Sequence, residues 1–212
     1  MMTQTHCLIA ATLLAKPERP RVQNIAIVLG SLTPDLAIFG LFILSKFQGW
    51  SEQKLWSEIY FSEPMLTLTA IFNSLPLYSI LLLCCILMLG SNGKPVTQSW
   101  FQKIDVGRFG NSSLTLGFFA LAAITHLLGD FPVHVNDAHP HFWPFSDWRF
   151  QSPISYWDHR YHGKLFSLIE AVLGVAMSVF IFRRFNNKFV RSLTVFGICA
   201  YVFVPLYFSL VL

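Results

Sequence analysis

Residues 192–212 read SLTVFGICAYVFVPLYFSLVL, 21 positions without a charge and with one proline, Pro205. About 20 consecutive apolar residues cross a bilayer as a helix. Working back from this segment, four more stretches of the same kind appear, at roughly Leu165–Phe182, Ser113–Val133, Met65–Leu89 and Val22–Leu44. Pro34 and Pro76 lie inside such runs, which membrane helices tolerate when neighbours satisfy the freed backbone groups. The whole chain agrees: 54% of its 212 residues are hydrophobic, only 12% are charged, and mean hydropathy is +0.53. Soluble domains carry about 25% charge. The sequence predicts an all-α polytopic membrane protein with five transmembrane helices, a short N-terminal helix and a single domain spanning 1–212. Its partner is the lipid bilayer.

A pI near 9.0 raises nucleic acid as a partner, but the basic residues flank apolar runs and form no binding stripe. They order the topology instead. Lys16, Arg19 and Arg21, then Lys94, Lys103 and Arg108, then Arg183, Arg184, Lys188 and Arg191 fall on one side. Lys46, Lys54, Arg149, Arg160 and Lys164 fall on the other. This places the N-terminus in the cytoplasm and the C-terminus outside, with a His/Asp/Trp-rich loop over 134–164 extracytoplasmic. Thr3–Ala15 is too short to span and lacks the preceding positive charge of a signal peptide, so it reads as a short amphipathic or half-inserted helix turned by Lys16-Pro-Glu-Arg-Pro20. The four cysteines, Cys7, Cys84, Cys85 and Cys199, match neither a zinc ribbon nor a redox pair.

Six of the seven histidines fall between His126 and His162, with four of the six aspartates. Imidazole and carboxylate together are the usual ligands of zinc and its divalent neighbours. His126-Leu-Leu-Gly-Asp130 puts both side chains on one helix face, about 6 Å apart at Cβ. Pro132 ends that helix, and the following loop can fold His134, Asp137, His139 and His141 back over it. Antiparallel packing of residues 5–15 and 22–33 would bring His6 and Asp35 to the same open end. Five straight spans would separate His6 from His126, a conflict that eases if the first helix is half-inserted and Pro34 breaks the first span. Glu170, within the fourth span, reads as structural or as support for a ligand.

An early His6, then Pro34-Asp35, then a polar pair in the second span, then His126-x-x-x-Asp130 resemble, in that order, the bacterial inner-membrane metal-dependent hydrolases. That family is distantly similar to the zinc-dependent phospholipase C and P1-nuclease group. The resemblance covers most of residues 3–145 and implies His6, Asp35, His126 and Asp130 as metal ligands. The chain departs from the pattern at Asn73-Ser74, where the family has a histidine before the serine. His141-Phe-Trp-Pro-Phe-Ser-Asp-Trp-Arg149 and Tyr156-Trp-Asp-His-Arg-Tyr-His162 resemble a subgroup some of whose members carry a cobalamin-biosynthesis name. No glycine-rich phosphate loop supports that role here.

Two functions follow as expectations. The first is a membrane-embedded hydrolase acting on a phosphoester or lipid-like substrate. His6, Asp35, His126, Asp130 and His134 would hold one or two zinc or similar ions, Asp137 or His139 would act as general base or acid, and Arg149 or Arg160 would hold an anionic group. The second is a non-catalytic metal-binding membrane protein of structural, carrier or accessory role, which Asn73 favours. Spans two and five carry no carboxylate, imidazole or basic side chain, which weighs against a transport path. Trp50, Trp56, Trp143, Trp148 and Trp157 fall in the two outer loops, as interfacial tryptophans do.

Overall fold

A computed structural model describes residues 1–90 and 108–211, the side chains of 90, 108–110 and 204–211 excepted. Lys94 and Lys103, and the side chains of Arg108 and Pro205, lie outside the described residues. The described residues form helices joined by turns and loops, with no strand among them. In order, the helices are α1 (Thr3–Leu14), α2 (Arg21–Leu32), α3 (Leu36–Gln48), α4 (Glu52–Lys54), α5 (Glu63–Phe72), α6 (Leu75–Gly90), α7 (Arg108–Asp130), α8 (Gly163–Arg184) and α9 (Lys188–Val211). Among the described residues, four stretches are long and apolar enough to cross a membrane: Arg21–Gln48, Glu63–Leu89, Asn111–Asp130 and Gly163–Arg184. The fifth expected segment is helical as part of α9.

Two of the four stretches are broken. Pro34 has no amide hydrogen to donate, and Thr33–Asp35 tightens into a 3-10 turn between α2 and α3. α5 stops at Asn73, and α6 restarts at Leu75 ahead of Pro76. The breaks lie side by side, because Asn73 Nδ2 donates to the Pro34 carbonyl at 3.2 Å and to the Thr69 carbonyl at 2.9 Å. The segment after α7 closes the second break. His141 accepts from the Leu75 amide at 2.8 Å, His141 Nδ1 donates to the Asn73 carbonyl at 3.2 Å, and Ser74 Oγ donates to the Trp143 carbonyl. Irregular backbone at membrane depth is stable only where it is paired in this way.

α1 folds back on α2 around residues 15–20. Asn24 pins the turn with Oδ1 on the Lys16 amide and Nδ2 on the Lys16 carbonyl. Arg184 donates to the carbonyls of Thr12 and Ala15, which end α1 without helical partners. Ala10, Ile27 and Ala122 are fully buried where α1, α2 and α7 meet. Small residues let backbones approach closely in a membrane bundle. At Gly30 the approach is extreme, since a methyl group there would lie 2.1 Å from the Phe119 carbonyl oxygen.

This hairpin corrects one expectation. The distribution of basic residues set the N-terminus and the His-rich loop on opposite faces. In the structure the Met1 amino group lies 2.6 Å from Asp130 Oδ1, at the end of the bundle that carries the loop. α1 runs antiparallel to both α2 and α7, so the basic turn at 16–21, not the first residue, sits at the far end beside Arg184.

Candidate metal centre

Four segments meet at the two breaks. α1 brings His6, the 3-10 turn brings Asp35, the last turn of α7 brings His126 and Asp130, and the chain beyond Pro132 brings His134. His6 and His126 stack with ring centroids 3.6 Å apart and planes 12° from parallel. The stack sets their Nε2 atoms side by side on one carboxylate, His6 Nε2 at 2.9 Å from Asp130 Oδ1 and His126 Nε2 at 3.0 Å from Oδ2. Asp35 Oδ1 lies 3.5 Å from His126 Nε2, and His134 Nε2 lies 3.2 Å from Asp130 Oδ1. Thr3 hydrogen-bonds the other Asp35 oxygen. The ligand-type atoms of His6, His126 and Asp130 all lie within 4.8 Å of one another, and all three residues are buried.

The protons decide what this cluster can hold. His126 Nδ1 lies 2.6 Å from the Ser31 carbonyl oxygen, which can only accept, so Nδ1 carries the proton. In neutral His126 the Nε2 lone pair then faces two carboxylates and has no hydrogen-bond partner. Three electron-rich groups cannot share that space unpaired. Either a second proton or a cation stands between them. One proton on His126 Nε2 meets that need, since a neutral His6 donates Nε2–H to Asp130 Oδ1 at 2.9 Å and the Met1 amino group lies 2.6 Å from the same oxygen; a metal ion in its place meets it as well. A zinc ion with ligands at about 2.0–2.1 Å in tetrahedral array separates them by about 3.3 Å. The four ligand-atom separations, 2.9–3.5 Å, bracket that value. The donor set therefore fits a divalent ion of the zinc type, with the Ser31 carbonyl fixing the His126 tautomer as an outer partner.

The chain beyond α7 builds one wall. It folds on itself through Ser152 N to the His134 carbonyl at 2.8 Å and Tyr156 N to the Val133 carbonyl at 3.1 Å. His134 Nδ1 lies 2.9 Å from Asp137 Oδ2, although neither ring nitrogen is aligned for a hydrogen bond. The other Asp137 contact is the Trp157 indole, Nε1 to Oδ2 at 3.0 Å. Burial works against the Asp137 carboxylate, but His134 and the indole outweigh it and hold its pKa at about 2. His139 is neutral, its pKa pushed down to about 3 by burial and then by His134. A cavity of about 270 Å³ opens beside the cluster, lined by Asp35, Asp130, His134, His139 and Tyr156 together with Ile38 and Phe39.

Of the residues singled out from sequence, His6, Asp35, His126, Asp130 and His134 come together and His139 lines the cavity. Asp137 stands behind His134 and is not among the cavity-lining residues. Arg149 donates to the Ala138 carbonyl and Arg160 pairs with Asp158 at 2.7 Å, so neither is offered to the cavity. His159 and His162 are exposed. Asn73 is fully buried, its amide nitrogen committed to the backbone of both breaks. Glu170 is buried in α8, its Oε1 accepting from the Met2 amide at 2.8 Å. Tyr156 was missed. Burial, then Asp137, Asp130 and Asp35, push its pKa up, so its hydroxyl keeps its proton and can only donate or accept hydrogen bonds. No local signal in the sequence marks it.

The sequence model of the YdjM inner membrane protein family matches residues 1–211. The chain belongs to that family. Among curated proteins and among solved structures nothing matches. Membership in the YdjM family agrees with a bacterial inner-membrane protein and with the apolar helices. It carries no likeness to the phospholipase C and P1-nuclease group and no cobalamin role, and the hydrolase activity expected from the resemblance is a separate question.

Proposed function

We propose that this YdjM-family protein is a membrane-embedded, metal-dependent phosphoester hydrolase. The observation that carries the reading is the bare Nε2 of His126 facing Asp130 and Asp35 while Nδ1 is committed to Ser31. His6, Asp35, His126, Asp130 and His134 hold one or two zinc-type ions. Such an ion, when bound, supplies a Lewis acid and brings the pKa of a water toward 7.

The remaining roles belong to the chain. Hydrolysis adds water across the ester, its oxygen to phosphorus and a proton to the departing alcohol oxygen. His139, neutral and on the cavity wall, accepts a hydrogen bond from the attacking water and orients it. With pKa values of about 3 and 2, His139 and Asp137 are weak general bases at neutral pH, so neither removes the proton outright. Asp137 holds His134 in place. Tyr156 donates to a phosphoryl oxygen as charge grows there.

A second reading, a non-catalytic metal-binding protein, is favoured by one observation. Asn73 stands where the resembling family has histidine, and its amide nitrogen serves the backbone.

The test is metal content by plasma mass spectrometry on detergent-purified protein, beside His126→Ala/Asp130→Ala, followed by a phosphoester screen. About one or more zinc per chain, lost in the variant, with ester cleavage in the wild type, is the expected result. Stoichiometric metal without cleavage of any phosphoester selects the second reading. Metal-free wild type after zinc supplementation defeats both.

A further inference from the structure

The end of the bundle away from the His/Asp cluster holds a cation without a counter-charge. Four other arginines spend their donors inside the protein. Arg184 meets the carbonyls of Thr12 and Ala15, Arg191 those of Phe182 and Phe185, Arg149 that of Ala138, and Arg160 the carboxylate of Asp158. Arg21 and Arg183 are exposed. Arg19 is half-buried in the turn between α1 and α2, and its Nε is shut off from solvent with no hydrogen-bond partner. Among the described residues its partner is an aromatic face, the guanidinium carbon lying 3.7 Å from the centre of the Phe118 ring. A ring face steadies a cation but offers its N–H groups no lone-pair acceptor.

Phe118 fixes where that cation sits. It stands seven residues past Asn111, where the apolar stretch Asn111–Asp130 begins, about 10 Å along the helix. Helical side chains lean toward the N-terminus, so the ring covers the turn that carries Thr115. Asn111, Thr115 and Phe118 are spaced four and three apart and share one face. A groove of about 370 Å³ lies between the starts of α2 and α7, lined by Val22, Asn111, Ser112, Thr115 and Leu116. Three of these five carry a hydroxyl or an amide, and none is charged. A guanidinium keeps its charge in any protein setting. At the rim of hydrocarbon it needs an anion or water, because the medium solvates neither ions nor donors. The anion nearest that depth is the phosphate of a phospholipid in the leaflet at this end of the bundle.

We propose that Arg19, seated on Phe118, binds the phosphate of an anionic phospholipid whose hydroxylated headgroup fills the groove of Val22, Asn111, Ser112, Thr115 and Leu116. The guanidinium fork matches a phosphate in geometry as well as in charge. A glycerol headgroup brings hydroxyls to Asn111, Ser112 and Thr115. A choline or ethanolamine headgroup brings a second cation beside Arg19, with Glu18, exposed in the same turn, as the acidic residue nearest in sequence. Phosphatidylglycerol is therefore the class that fits. This site lies apart from the His/Asp cluster and goes beyond the metal-dependent reading, since neither needs the other.

The experiment uses delipidated, full-length protein in detergent and follows lipid binding by native mass spectrometry during titration. The probes are phosphatidylglycerol and phosphatidylcholine with the same acyl chains, and inorganic phosphate. Phosphatidylglycerol binds the wild type about tenfold tighter than phosphatidylcholine, and excess inorganic phosphate does not displace it. Arg19→Met, which keeps a stem on Phe118 and drops the charge, erases that preference. Asn111→Leu, at an exposed helical position, weakens phosphatidylglycerol and leaves phosphatidylcholine unchanged. Arg183→Met, which removes an exposed charge at the same end, alters neither. Equal binding of the two lipids to the wild type overturns the proposal, as does a preference that survives Arg19→Met. An equal loss in Arg183→Met also overturns it, by marking a diffuse attraction to the basic end. Displacement by inorganic phosphate overturns the lipid assignment. Should Arg19→Met fail to fold, Asn111→Leu decides, and an unchanged preference there defeats the proposal. The lipid readout is the same with or without zinc, so metal-free protein defeats only the earlier reading.

Discussion

The His126 ring is held by the backbone of another helix, Nδ1 to the Ser31 carbonyl at 2.6 Å. That contact exists because α2 and α7 touch at Gly30, one residue earlier, where the Phe119 carbonyl occupies the space a Cβ would need. The glycine that sets the helix spacing and the carbonyl that sets the imidazole tautomer are neighbours in the chain. Packing and protonation state are coupled at one point.

Gly30→Ala should therefore act on the site from a distance. The methyl pushes α2 from Phe119, lengthens the Ser31–His126 hydrogen bond and frees the ring. Outer-partner losses cost about 10–100-fold in metal affinity, and a loss in that range is expected. Competition with a zinc chelator measures it; an unchanged affinity would separate the helix contact from the site.

Asp137→Asn removes the charge behind His134 and keeps the Trp157 indole a partner. Metal affinity falls by about tenfold or more, with the helical circular-dichroism signal intact. If Asp137 were instead the proton acceptor of the reaction, rate would collapse while metal binding stayed at the wild-type level.

Tyr156→Phe deletes one hydroxyl on the cavity wall. Removal of a single donor to a developing oxyanion costs about 10²–10³ in turnover. The expected signature is a fall in kcat of that order with zinc content unchanged and KM little altered. Equal losses in zinc and rate would mark the tyrosine as packing for His134, whose ring centroid is 5.1 Å away.

Acid should unfold the metal-free protein early. His139 has a folded pKa of about 3, below the ordinary imidazole value of 6.5. Its share of stability is complete above 6.5 and declines as pH falls from there toward 3, because the unfolded chain takes up the proton first. Asp137, folded at about 2 against 3.8, adds a second loss between those values. Both losses run in the same direction. His139→Gln should flatten the slope of thermal stability between pH 6.5 and 4; a slope unchanged by the substitution would remove His139 as its source.

Much of this arrangement was legible because it depends on local pattern. Apolar length marked four of the five expected spans, Pro34 gave the first break, and the Pro17/Pro20 turn gave the hairpin that brings His6 to Asp35. The i, i+4 pair of His126 and Asp130 shares a face by helix geometry alone. What escaped depends on partners far apart in the chain. The tautomer of His126 is decided 95 residues away at Ser31. Asn73 read as a weakened ligand, whereas its amide nitrogen serves the Pro34 and Thr69 carbonyls. The contact of the Met1 amino group with Asp130 escaped because charge counting treats α1 as a flank, while burial of Ala10 against Ile27 and Ala122 makes it part of the bundle. Tyr156 has no spacing to betray it, since the wall it joins is built from turns.

The second broken stretch carries a consequence for how the molecule is made. Residues 63–89 leave the ribosome long before residues 141–143, yet the amide of Leu75, the carbonyl of Asn73 and the hydroxyl of Ser74 find their partners there. Until that later segment arrives, the newly inserted helix holds open backbone groups in a medium that charges several kcal/mol for each. Biogenesis thus has an order: insertion first, then the return of a downstream strap that locks the kink. A ribosome-stalled chain ending before His141 would thus enter the bilayer with the break between α5 and α6 still unpaired.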